Sequence, residues 1–394
     1  KEMEYIQMAF SKVASGVGPF FLLLGLLIFV HELGHFLVAK KSGMQVDEFG
    51  FGFPPRVIGV YRTNNKGAQF VFGSKTPPDA QGTIYSLNLI PLGGFVKIVG
   101  ENNDAPNNPN SFGKKPFWMR LCTLLAGVVM NAVLAWVLIS IGLAVGIPTV
   151  IDEQNVTALP QGATLSAPLL TILDVREQSP ASKAGILVGD KILAIDRTPV
   201  DSKPVQEQIV SVQNYIKERK GQNFEFLVSR SGETETLVVT SNANPGPGEG
   251  PTGVSLGMVG NLRYPWYRAP LTGLRVASEQ LYAVVGGLAK LVSGGVSLNQ
   301  VGGPVKIAQL TGEASRLGII YLLQFAAFLS LNLAVLNSLP IPALDGGRVL
   351  FLIIEKIRRK PNNPNIEQAV NAFGFLALLL LMLIVTINDF NGFS

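Results

Sequence analysis

A run of residues apolar enough to cross a bilayer, Pro19 to Ala39, carries both histidines of this chain, four positions apart in the pentapeptide His31-Glu32-Leu33-Gly34-His35. Ionisable side chains at membrane depth are costly, about 2.5–3.5 kcal/mol each at a helix centre, and they face a protein interior or a wet cavity. The helix must therefore pack against elements that supply partners. On a helix, positions i and i+4 share a face, so His31 and His35 can direct imidazole nitrogens at one ion, with Glu32 beside them in reach of a bound water. HExxH on a soluble helix is common by chance, and the apolar setting separates this one from that background.

With 47% hydrophobic and 15% charged residues among 394, the composition predicts a membrane protein with one soluble module. Four stretches reach the roughly 20 residues needed to span. They are Pro19–Ala39, about Phe117–Ile147, Gly318–Leu344 continuing through Asp345 into Val349–Ile354, and Ala369–Ile387. The first ends in Lys40-Lys41 without a small-residue cleavage pattern, so it is read as a retained span and not as a signal peptide. Leu271–Val296 is a fifth candidate, but it holds Arg275, Glu279, Lys290 and several glycines, which suits an interfacial amphipathic helix.

Charge placement sets the orientation. Lys40 to Arg120 holds ten Lys/Arg against five Asp/Glu, the third span is followed by Lys356, Arg358, Arg359 and Lys360, and residues 148–317 hold fifteen of each sign. Basic loops stay cytoplasmic, so four spans place both termini and residues 148–317 outside. The net charge of +5 thus belongs to membrane topology, and no arginine-rich or zinc-finger pattern indicates nucleic acid. The single cysteine, Cys122, excludes an intrachain disulfide.

A catalytic zinc takes three protein ligands and keeps one position open, so two histidines leave one ligand missing. Asp345 is the one carboxylate placed to supply it, in Asn337-Ser-Leu-Pro340-Ile-Pro342-Ala-Leu-Asp345-Gly346-Gly347. Two prolines and a Gly-Gly pair predict a broken helix, tolerated in a membrane only where it is buried in protein or lines a cavity. His35 lies five residues before Lys40 and Asp345 eleven before Lys356. Both therefore sit roughly 8–17 Å from the cytoplasmic boundary at about 1.5 Å per helical residue. Imidazole and carboxylate ligands beside a hydrolytic glutamate favour zinc.

Between the first two spans, residues 47–55 alternate aromatic and small residues, and these and residues 83–98, both with turn breakers, predict strands. Asn102 to Asn110 is rich in Asn and Pro and predicts a linker. Leu170 to Ser241 has strand-like runs and a helix-like stretch, Val205 to Lys220. Its Ser179-Pro180-Ala181, Ala184-Gly185-Ile186, Gly189-Asp190-Lys191-Ile192 and Ile195 resemble a PDZ domain in a single copy.

HELGH near one end, NSLPIPALDGGR near the other, the intervening PDZ-like module, four spans and Asn388-Asp389-Phe390 occur in one order. In this the chain resembles the site-2 protease family of intramembrane zinc metalloproteases, and within it the bacterial regulator-of-sigma-E-protease branch. The resemblance implies a multi-pass α-helical membrane protein with a membrane-associated β-element and an inserted PDZ-like α+β domain. Residues 1–147 would hold the first two spans and the β-element, 165–245 the PDZ-like domain, 246–316 a connecting region with amphipathic helices, and 317–394 the last two spans. It assigns His31, His35 and Asp345 to zinc, Glu32 to general acid/base work, and Asn337 to the substrate backbone or reaction intermediate. The implied setting is the bacterial inner membrane, with the PDZ-like domain extracytoplasmic and the active site near the cytoplasmic side. The implied partners are the lipid bilayer and single-span membrane proteins, such as tethered anti-sigma factors or remnant signal peptides, already trimmed by another protease.

Two features stay open at this level. The β-element is either an edge for an extended substrate or an ordinary sheet anchored by Phe49, Phe51 and Phe53. The PDZ-like module either binds peptides or excludes bulky substrates, and the second is favoured. Two rival functions run against the residues: a PDZ-bearing adaptor has no use for an open metal site, and a transporter needs ionisable groups at several depths.

Overall fold

The computed structural model describes residues 2–63, 67–77, 80–101, 107–151, 162–176, 178–200, 205–230, 232–246, 249–295 and 302–391. In chain order the elements are α1 (Glu2–Lys41), β1 (Val46–Thr63), β2 (Gly67–Phe72), β3 (Gln81–Ile98), α2 (Phe117–Val145), β4 (Ile147–Ile151), β5 (Thr164–Leu165) and β6 (Leu169–Val175). Then come α3 (Pro180–Lys183), β7 (Lys191–Ile195), β8 (Thr198–Pro199), α4 (Val205–Glu218), β9 (Asn223–Arg230), β10 (Glu233–Thr240) and β11 (Val254–Arg263). The chain closes with α5 (Ala269–Val292), α6 (Pro304–Leu317), α7 (Ile319–Ser338), α8 (Asp345–Arg358) and α9 (Pro364–Asn391). They form two compact units, one of Lys1–Ile139, Gly273–Arg316 and Leu322–Ser394, the other of Ser140–Thr272 with Leu317–Tyr321.

Among the described residues four helical stretches are long and apolar enough to cross a membrane: Gly16–Lys41 within α1, α2, α7, and Pro364–Phe390 within α9. Among the described residues α5 is not one of them; Arg275 and Glu279 form an exposed ion pair on it, Nε to Oε1 2.8 Å. The third apolar stretch, expected to be broken by its prolines and its Gly-Gly pair, is two helices joined by residues 339–344. Pro340 and Pro342 contribute no N–H to a helical ladder. Ala343 adopts a left-handed φ of +74°, and a Cβ on Gly346 would strike the Leu339 carbonyl. The chain therefore turns back tightly onto the first turn of α8. Of the linker expected over Asn102–Asn110, residues 102–106 lie outside the described residues.

The sheet of the first unit is built from two long bent hairpins laid into each other, in the order β2-β1-β3. Glu48 to Phe51 of β1 lies between two arms of β3, matched to Ile84–Leu87 on one side and Gly94–Lys97 on the other. Its outer arms are therefore β2 and Gly94–Ile98. The tip of β3 rests on α1: a Cβ on Gly93 would meet Ile28 at 2.7 Å, and one on Gly94 would meet the Phe29 backbone at 3.2 Å. Only glycines permit that approach, and Gly93 also takes a φ of +85°. Phe36 stacks on Phe49 with ring centres 4.6 Å apart, and Phe29 lies 5.2 Å from the same ring. Phe53, Leu89 and Ile90 at the tips stay exposed, apolar groups that suit contact with lipid.

The second unit is an eight-stranded sheet whose main path runs β10-β9-β7-β6-β11-β4, with β5 on β11 and β8 on β7. Its core gathers Ile172, Ile186, Phe224, Phe226, Val228 and Val239 from the sheet and the α3 segment with Val212 and Ile216 of α4. Those two residues are four apart, one face of the helix. Asp190, buried, binds the Arg230 guanidinium through both oxygens at 2.8 and 2.7 Å. Its Oδ2 also accepts the Leu187 amide at 2.9 Å.

Inside the β-element, the buried Arg56 donates from Nε to Glu48 Oε1 at 2.8 Å. Burial raises the Glu48 carboxyl, but the bonds and the charge of Arg56 outweigh it and hold it below its ordinary value. A carboxylate depressed on folding stabilises above its unfolded pKa, and that contribution is lost as pH falls through the folded one. Amide exchange over residues 46–98 should therefore accelerate below about pH 4, and Glu48→Gln should flatten the acid dependence. Arg56→Ala leaves a half-buried carboxylate without its partner and should cost about 1–3 kcal/mol, read as early proteolysis within that segment.

Candidate metal centre

Packing places the ligands on one side of α1 and the sheet on the other. At 100° per residue, Phe29, Leu33 and Phe36 share a stripe facing the β-element, whereas His31 and His35 share nearly the opposite stripe. Glu32 falls on the flank between them. A Cβ on Gly34 would collide with the Ala126 carbonyl, so α1 and α2 cross at backbone distance, as small residues allow between membrane helices. This crossing brings both imidazoles against α2.

The two Nε2 atoms lie 3.2 Å apart. Asp345 Oδ2 is 2.9 Å from that of His31 and 3.3 Å from that of His35. Tetrahedral zinc with ligand bonds of about 2.0–2.1 Å sets its ligand atoms about 3.3 Å from one another. The three atoms therefore match a shared ion. Both histidines are 7% exposed, and Asp345 Oδ2 is buried with no well-directed hydrogen bond. Burying three such groups face to face without a cation leaves a carboxylate oxygen unsatisfied. His31, His35 and Asp345 thus fit a metal ion.

The outer ring nitrogens are held as well. His35 Nδ1 donates to the Thr123 carbonyl at 2.7 Å, which leaves the Nε2 lone pair free for a metal. His31 Nδ1 faces the Asn131 amide at 3.2 Å, while Asn131 Oδ1 is buried without a partner. Turning that amide over would let Oδ1 accept the Nδ1 proton, which satisfies both groups and again frees Nε2. The Asn131 carbonyl in turn accepts the Ser330 hydroxyl at 2.8 Å, so one polar chain links α1, α2 and α7.

Asn337 sits half-buried on the last turn of α7, a six-residue loop away from Asp345. Arg348, one turn after Asp345, pairs with Glu101 just beyond β3, and the charge of Glu101 reaches Glu32. Farther along α8, Glu355 takes both Arg120 Nη atoms at 2.8 and 3.0 Å.

Reading the sequence alone missed Gly127, Asn131, Thr123 and Ser330. The available signal was a polar Asn131 four residues after Gly127, in residues 124–139 that are otherwise apolar. A Cβ on Gly127 would lie 2.5 Å from His35 Nε2 and 2.6 Å from His31 Nε2. Gly127→Ala should therefore abolish zinc retention in the purified protein while the helical circular dichroism stays intact. Asn131→Ala should weaken zinc about 10–100-fold, measured by competition with a chelator.

Comparison with known proteins supports the same chemistry. The chain is 29% identical to the zinc metalloprotease RasP of Geobacillus kaustophilus, over 95% of this chain and 97% of that protein. It is equally similar, 29%, to the regulator of sigma-W protease RasP of Bacillus subtilis, over 94% and 97%. The peptidase family M50 profile matches residues 19–381, which include every ligand described above. The chain belongs to peptidase family M50, the site-2 protease family, and is a zinc metalloendopeptidase of that type.

Proposed function

We propose that this protein cuts transmembrane segments of single-span membrane proteins at the centre formed by His31, His35 and Asp345, with Glu32 as the acid/base. The convergence of three buried ligand atoms within the apolar helices carries the reading. Zinc bound there would supply a Lewis acid and lower the pKa of its water towards neutrality. Glu32, next to His31 and flanking the ligand stripe, takes the proton of the attacking water and returns it to the departing amine nitrogen. Asn337, at the edge of the broken segment, holds the substrate backbone or the oxyanion as charge develops.

A peptide bond in a helix is shielded by its own hydrogen bonds, so the substrate must be drawn out before water can attack. The outer arm Gly94–Ile98 offers main-chain groups beside α1, suited to pairing with an extended segment. The second unit, PDZ-like by resemblance, acts as a size filter on the extracytoplasmic side, so that substrates arrive already trimmed. In the bacterial inner membrane, the Lys- and Arg-rich loops near Lys40 and Lys356 favour a reaction close to the cytoplasm. A fragment would then be released there. The B. subtilis relative is named a regulator of sigma-W protease, which favours membrane-tethered anti-sigma factors as substrates; remnant signal peptides offer the same chemistry.

Purified protein in lipid nanodiscs should cleave a single-span test protein lacking its outer domain. Glu32→Gln should reduce the rate at least about 10²–10⁴-fold with zinc content unchanged. Equal cleavage by wild type and Glu32→Gln would rule out the assigned chemistry, and retention of zinc without any cleavage would leave a metal-bearing adaptor.

A further inference from the structure

We propose that α9 sets the position of the third metal ligand, with Asn371 and Gly374 acting as positioning residues for Asp345; this rests on the metal-centre reading above. Of the four apolar helices α9 has the least protein around it. About 6% of its most apolar window is buried, against 28–39% for the others. Its few attachments are correspondingly informative, and one falls on the loop that carries Asp345.

That loop is strained. Ala343 has a φ of +74°, which a non-glycine residue keeps only when its surroundings enforce it. Short turns close the rest of the segment: the Ile341 amide donates to Leu339 at 2.7 Å, Leu344 to Ile341 at 3.2 Å and Gly347 to Leu344 at 3.0 Å. The Ala343 amide, two residues before the ligand, leaves this pattern and donates to Asn371 Oδ1 at 3.2 Å. Three residues farther along the same helix, Gly374 lies against Pro342. A Cβ there would come within 2.5 Å of the proline Cβ and 2.7 Å of its carbonyl oxygen. Asn371 thus holds the strained amide, and Gly374 lets the helix seat on the residue before it.

The far end of α9 is also fixed. Asp389 accepts the Gly303 amide at 3.0 Å and the Lys306 amide at 3.1 Å, capping the start of α6. From Gly374 to Asp389 is fifteen residues, about 22 Å of helix. A rod fastened at both ends, with lipid-facing residues between, carries the position of α6 to the metal loop.

The test uses the full chain in nanodiscs, with zinc affinity from chelator competition and amide exchange over residues 339–345 in the zinc-free protein. Asn371→Ala and Gly374→Ala should weaken zinc about 10–100-fold and speed exchange in the loop. Asn371→Asp, which keeps an acceptor oxygen in place, should restore both to within about threefold, a smaller loss than any outer-shell deletion. Leu380→Ala, an exposed residue on the same helix, should change neither. Unchanged zinc affinity and loop exchange in Asn371→Ala would overturn the proposal, as would equal losses in Leu380→Ala. Wild type that binds no zinc, or zinc binding indifferent to His35→Ala, would instead overturn the metal centre itself.

Discussion

Two imidazoles and a carboxylate buried among apolar helices form the constraint on which this structure depends. Each loses its hydration, and a carboxylate oxygen with no donor is among the costliest groups to leave unsatisfied. The surrounding sequence answers that demand step by step. Gly34 and Gly127 remove side chains so that α1 and α2 close around the rings. The Thr123 carbonyl and Asn131 engage the outer ring nitrogens. The break before α8 then lets a residue from the opposite end of the chain approach them.

The convergence of His31, His35 and Asp345 was legible because their chemistry is local and their context exceptional. His31 and His35 share a helix face, and Asp345 stood out as an acid in a proline-broken apolar stretch. The four helices long and apolar enough to cross a membrane among the described residues followed from length and apolarity. The break between α7 and α8 was legible from the two prolines and the Gly-Gly pair, whereas the tight return of the chain through a left-handed Ala343 carried no sequence signal. Asn131 was not read as an orienting residue, because what it faces is fixed by the crossing of two helices and no periodicity encodes that crossing. The nested hairpins escaped for a related reason. Phe49 pairs with both Tyr85 and Val96, a double partnership that strand propensity cannot express.

The β-element and the metal loop meet the protein in different ways. The first is locked to α1 by aromatic stacking and glycine contacts, and internally by the Arg56–Glu48 pair. The second depends on a few directed hydrogen bonds and on proline geometry. Stacked side chains resist displacement from every direction, whereas single bonds yield along one. The candidate metal centre is therefore stiff on its histidine side and adjustable on its aspartate side. Ion pairs such as Arg120–Glu355 steady α8 farther from the reacting atoms.

The opposed stripes of α1 carry a geometric consequence. Phe29 and Phe36 seat the sheet while His31 and His35, offset by two residues and one residue, present the candidate ligand nitrogens, and an α-helix neither stretches nor twists appreciably over so short a span. Any polypeptide laid along Gly94–Ile98 would thus meet the hydrolytic water at a set spacing from where it is gripped. The helix would work as a ruler, and the bond severed would be chosen by how the substrate registers on the strand more than by which residues flank it.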